Sequence, residues 1–207
     1  MVILLKYFRT VICLLVLCIF LPACSATPTS KEPKGDVVLH PVKLNEFEEN
    51  ILGFTTDWSF VFDLQRNKDI GEIAITVELY KKGQSTGPVL EGGVLGDKKG
   101  EKPLRIAMAR QTFDEGRQKW LLGYLYDGGR GELGGIEDIP KRDNTIAHAS
   151  TTAELPLAIN KGEKKTIAAF VSTKVNGIAT RDLEDVLKDP KATAKFDQVY
   201  LVQVELK

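Results

Sequence analysis

The side chains able to do chemistry are few and scattered in this chain of 207 residues, which holds two histidines and three cysteines. His148 lies near Asp143, Ser150 and Thr151, a set that could supply a general base, an orienting carboxylate and a hydroxyl nucleophile. A triad is defined by geometry rather than by closeness in the chain. Neither a Gly-x-Ser-x-Gly elbow nor a zinc-binding helix motif accompanies these residues. His40 precedes Pro41 and has no ligand-like neighbour. The expectation is therefore no catalytic residue and no metal site, with a hydrolase or metal-dependent enzyme around Asp143, His148 and Ser150 as the alternative.

The stretch from Asp127 to Ile136, DGGRGELGGI, holds five glycines in ten residues. Glycine costs folding entropy and is used where backbone turns sharply or approaches a partner closely. No helix pattern follows it, so a phosphate-binding loop fails its structural test. The reading is a loop between Tyr126 and a strand near Ala153, with Asp127, Arg130 and Glu132 as the residues of a candidate binding loop. Asp127, Glu132, Glu137, Asp138 and Asp143 make the region oxygen-rich, which raises calcium as a ligand. Their spacing matches no calcium-loop pattern, so no cofactor is expected.

Trp58, Trp120, Tyr124 and Tyr126 could stack on the sugar rings of a wall polymer. Each belongs to an alternating strand face with Phe60, Phe62 or Leu122, and such faces build cores. The charge is balanced, with 28 basic and 28 acidic side chains intermixed along the chain. A nucleic-acid binder would need a basic excess, and no nucleic-acid partner is expected.

The N-terminus carries the clearest signal. Lys6 and Arg9 precede an apolar run from Val11 to Leu21, after which the composition changes to Pro22, Ala23, Cys24, Ser25. A positive segment, an apolar segment of this length and small residues at its end describe a secretory signal peptide, and the run falls short of the about 20 residues of a membrane-spanning helix. Leu21-Pro22-Ala23-Cys24 resembles the lipobox of bacterial lipoproteins, with Pro22 departing from the residue usual at its place. The resemblance implies cleavage before Cys24 and a diacylglyceryl thioether on that residue, which would anchor the chain to the outer, extracytoplasmic face of a bacterial membrane. Two acyl chains suffice for stable anchoring. Cys13 and Cys18 would leave with residues 1–23, as would Lys6 and Arg9, so the mature chain would hold 26 basic and 28 acidic residues and no thiol.

Residues 24–35 read as the lipidated cysteine and a flexible tether, since the proline- and hydroxyl-rich run SATPTSKEPKG cannot bury enough apolar surface to fold. From Asp36 to Lys207 the pattern is period-two alternation, the signature of half-buried strands. Trp58 to Leu64 and Ile73 to Leu79 read as a hairpin turning at Asn67 to Gly71. Further strands are expected over Leu104–Arg110, Lys119–Tyr126, Glu154–Ile159, Lys165–Thr173 and Phe196–Leu206, with weaker ones at Val37–Leu44 and Gly87–Leu95. One helix follows a capping Thr180 and ends at Asp189-Pro190, crossing one end of the fold. The sum is a mainly β single domain, an antiparallel β-sandwich of about seven to nine strands with one short helix near the C-terminus. Its expected role is that of a non-enzymatic binding or structural module of the cell envelope, with an envelope protein, polymer or small ligand as its partner.

Overall fold

The computed structural model of the chain describes residues 33–95, 102–114, 116–126, 129–139, 146–174 and 177–207. Two antiparallel sheets face each other. The first runs in the order β7 (Gly129–Asp138), β6 (Arg117–Tyr126), β5 (Leu104–Asp114), β2 (Trp58–Arg66), β1 (Val37–Pro41), β9 (Leu157–Ile159). The second runs β4 (Gln84–Leu95), β3 (Glu72–Lys81), β11 (Gln198–Leu206), β10 (Lys164–Thr173), β8 (Ala147–Thr152). Alternation dictates the core between them. Phe62, Leu64, Ile106, Met108, Trp120 and Leu122 turn inward from the first sheet and meet Ile73, Ile75, Val77, Val202 and Val204 from the second. Each such side chain contributes about 1.5–3 kcal/mol on burial.

The mainly β sandwich of the sequence reading is the observed fold, with eleven strands among the described residues in place of seven to nine. Trp120 is fully buried and Trp58 half-buried against the core, as their strand faces required. The expected hairpin of Trp58–Leu64 with Ile73–Leu79 does not form. β2 pairs with β1 and β5, and β3 pairs with β4 and β11. The turn from Asn67 to Gly71 crosses between sheets, seating Ile70 in the core. Alternation reveals which face of a strand is apolar; it does not select the partner. The strand expected over Glu154–Ile159 shortens to β9, because Leu155 and Pro156 fall before it.

The C-terminal helix is α2 (Thr180–Lys188) by the present numbering, preceded in the chain by α1 (Glu46–Thr55). Thr180 is the first helical residue and not the cap, a place held by Ala179 without a side-chain bond. α2 does not cross an end of the sandwich. With a 3-10 turn, Pro190–Lys195, it lies on the outer face of the second sheet, where Leu183, Val186 and Phe196 pack on Ala169, Val171, Val199 and Leu201. That cover explains why β10 and β11 are buried on both faces and read as nearly continuous apolar runs.

α1 is a second helix where the sequence reading expected one, and its start is fixed by Asn45 and Glu48. The Asn45 side chain accepts from the Glu48 amide at 3.0 Å, and the Glu48 carboxylate accepts from the Asn45 amide at 2.8 Å. This is a capping box. No residue of α1 is buried. α1 lies against β2, the strand that follows it, and the Arg105 guanidinium is favoured in its charged form first by its hydrogen bonds to Asp63 and lastly by the Glu48 carboxylate.

Candidate functional site

The sandwich has two distinct ends. At one, Val37 pairs with Arg66, and the side chain of Asn67 donates to the Gly35 carbonyl at 3.1 Å, so the described chain enters here at Pro33. Asp36 sits at this end, its carboxyl held below the usual carboxylate range first by Lys68 and then by the Lys161 amide. At the other end, where β2 starts at Trp58, residues of both sheets line a cleft of about 990 Å³. The eight residue steps of β2 separate the two ends by roughly 26 Å, at about 3.3 Å per residue.

The floor of the cleft is fixed by two links between the sheets. In the first, the Arg110 guanidinium carbon from β5 lies 3.5 Å from the ring centroid of Phe170 on β10, a cation–π contact whose arginine side chain is only 11% exposed. Asp57 positions this arginine's strand: its amide donates to the Arg110 carbonyl at 2.8 Å, and its carboxylate accepts from the Thr112 amide at 2.7 Å. The same carboxylate is 4.0 Å from an Arg110 nitrogen. His148 stacks on Phe170 with centroids 5.8 Å apart, and its Nδ1 is 2.9 Å from Ser172 Oγ. Antiparallel register places His148 and Ser172 directly opposite each other on β8 and β10.

In the second link, the Tyr200 hydroxyl of β11 accepts from Gln118 Nε2 of β6 at 2.7 Å and from Gln198 Nε2 at 2.5 Å. Gln118 Nε2 also donates to Glu137 of β7 at 2.9 Å. Burial, and then the Glu137 carboxylate beside it, push the Tyr200 phenol far above its ordinary titration range. It is a neutral hydrogen-bonding hub at any physiological pH. Trp58 and Phe113 supply apolar surface to the cleft, and Phe113 is 43% exposed. Beside it Asp114 is held below its usual range by the Gly116 amide first and by Arg117 next.

Of the residues singled out in the sequence, His148 and Ser150 share a face of β8 and both line the cleft. Asp143 and Asp127 lie outside the described residues, as do Leu21, Pro22, Ala23 and Cys24. The glycine-rich segment is not the loop expected. Residues 129–138 form β7, paired along its whole length with β6. Its glycines answer specific neighbours. A Cβ on Gly131 or Gly129 would strike the rings of Tyr124 and Tyr126, which lie across the strand, and one on Gly135 would strike the Val89 carbonyl of β4. Arg130 and Glu132 are exposed on β7 toward the end where the chain enters, in a paired strand and not in a loop. Among the described residues no group of three or more His, Cys, Asp or Glu side chains is arranged to hold a metal ion.

Arg110, Gln118, Phe170, Ser172 and Tyr200 were missed in the sequence, yet two left a signal. Extending the inward alternation Leu104, Ile106, Met108 reaches Arg110, and extending Leu122, Trp120 backward reaches Gln118. A charged or amide side chain at an inward position is costly unless partnered, and so marks a built site.

Two packed antiparallel sheets, a helix on one outer face and a cleft of mixed polarity at one end define a β-sandwich module with a terminal cleft. The chain belongs to the YgaN domain family, whose model matches residues 38–206. No curated protein and no solved structure matches it.

Proposed function

We propose that this chain is a lipid-anchored extracytoplasmic module of a bacterial cell envelope that holds a ligand in the terminal cleft. Acylated Cys24 is the anchor, the residues up to Gly35 are the tether, and the membrane is the first partner. The observation that carries the reading is the polarity of the domain: the chain enters at one end, and the cleft opens about 26 Å away at the other. A tethered domain with that polarity presents its cleft outward. Cross-sheet links at Arg110–Phe170 and Gln118–Tyr200 hold the floor rigid, which lowers the entropic cost of binding. The ligand this lining suits has apolar faces, for Trp58 and Phe113, together with planar hydrogen-bonding groups, for Gln198, Ser150 and Asp57. A segment of an envelope protein or polymer has that mixed character.

The test is a photo-crosslinking amino acid placed at Phe113 in cells, with Lys161 at the opposite end as the control position. The reading expects a defined adduct from Phe113 and none from Lys161. Equal capture, or none, at Phe113 would refute it.

A hydrolytic second reading rests on the 2.9 Å contact of His148 Nδ1 with Ser172 Oγ in the cleft, a nucleophile and base at hydrogen-bonding distance. It requires that Ser172 react with a fluorophosphonate probe and that Ser172→Ala abolish the labelling.

A further inference from the structure

α1 is an amphipathic helix turned inside out. Phe47, Ile51 and Phe54 recur at the spacing of one helical face, yet they are 72%, 45% and 86% exposed. Nothing in the described fold receives them. Among the described residues, no helix packs on the outer face of the first sheet as α2 does on that of the second. The floor of the first is flat and small: Val61, Ala107, Ala109, Leu121 and Gly123 are half-exposed along three adjacent strands. The chain thus bears an aromatic ridge without a receptor and an apolar floor without a ridge, side by side.

We propose that the occupant of this floor is a second copy of the chain, each protomer laying its Phe47–Phe54 ridge across its partner's β5–β6 surface in a two-fold dimer. An isologous interface needs one surface carrying both complementary halves, and this surface does. Area agrees. At about 150–250 Å² per phenylalanine, the exposed fractions of Phe47 and Phe54, matched on the floor and doubled by symmetry, give roughly 950–1,600 Å². That reaches the range of specific interfaces, about 1,200–2,000 Å². The inference stands apart from the anchor and the cleft, since it uses neither.

Sedimentation velocity of the full chain in mild detergent tests it, with far-UV circular dichroism as the folding control. The wild type should be a dimer. Phe54→Glu and Ala109→Glu, on opposite halves of the contact, should each raise the dissociation constant by at least about 30-fold without altering the spectrum. Mixing the two variants should restore part of the dimer, because one intact floor meets one intact ridge. A wild-type monomer, a dimer indifferent to Phe54→Glu, or no recovery on mixing would overturn the proposal; indifference would assign association to the apolar N-terminal run or to a lipid-like contact.

Discussion

Two alanine substitutions in one strand separate a built sheet edge from a loop. Gly135 and Gly129 both lie in β7, and neither has the positive φ that would itself forbid alanine. A methyl at Gly135 would overlap the Val89 carbonyl, a backbone atom of β4 that moves only if the contact between the sheets opens. Overpacking of that kind costs about 1–3 kcal/mol. Loss of glycine from the unfolded chain returns about 0.4–1 kcal/mol, leaving a net destabilisation of roughly 1–2 kcal/mol. At about 2–4 °C per kcal/mol for a domain of this size, Gly135→Ala should lower Tm by roughly 2–8 °C. At Gly129 the obstacle is the ring of Tyr126, which is 48% exposed and can swing aside. There the two terms nearly cancel, and Tm should move by less than about 2 °C. Thermal unfolding followed by near-UV circular dichroism measures both. Equal shifts for the two variants, or a stabilised Gly135→Ala, would mean that β7 is not the glycine-dependent sheet edge described.

Tyr200→Phe should destabilise by about 1–3 kcal/mol, seen in chemical denaturation, because Gln118 and Gln198 lose their shared acceptor; unchanged stability would remove Tyr200 as a cross-sheet link. Leu183→Ala should cost about 2–4 kcal/mol by unseating α2 from β10, and amide exchange should quicken in α2 before it does in β2. The lowered Asp36 pKa supplies stability that is fully present above its unfolded value of about 3.8 and is lost as pH falls through the lower folded value. Asp36→Asn should therefore be less stable than the wild type above about pH 4, and the two acid-unfolding curves should converge at low pH.

The strands were legible in the sequence because a half-buried strand must alternate, and Trp58–Leu64, Ile73–Leu79 and Lys119–Tyr126 do so. Their pairing was not legible, since the connection at Asn67–Gly71 looks the same whether it closes a hairpin or crosses between sheets. Five glycines in ten residues read as a loop because glycine weakens an isolated strand; the tyrosines that cover Gly129 and Gly131 and the β4 backbone that crowds Gly135 are tertiary facts. α1 carried its capping box at Asn45 and Glu48 in plain view, but its apolar stripe faces solvent and so does not serve the core. Within the cleft, proximity in sequence drew attention to His148 and Ser150, and both are there. Their companions Ser172, Phe170, Arg110 and Tyr200 come from strands 20 to 50 residues away, joined only by cross-strand register and sheet packing.

The anchor is the central claim, and mass analysis of the N-terminus with membrane fractionation tests it most directly. The account predicts that the mature chain starts at a Cys24 carrying a diacylglyceryl group, and that Cys24→Ala leaves the domain folded but not lipid-anchored. An unmodified Cys24 in the wild type, with membrane association unchanged by Cys24→Ala, would contradict it.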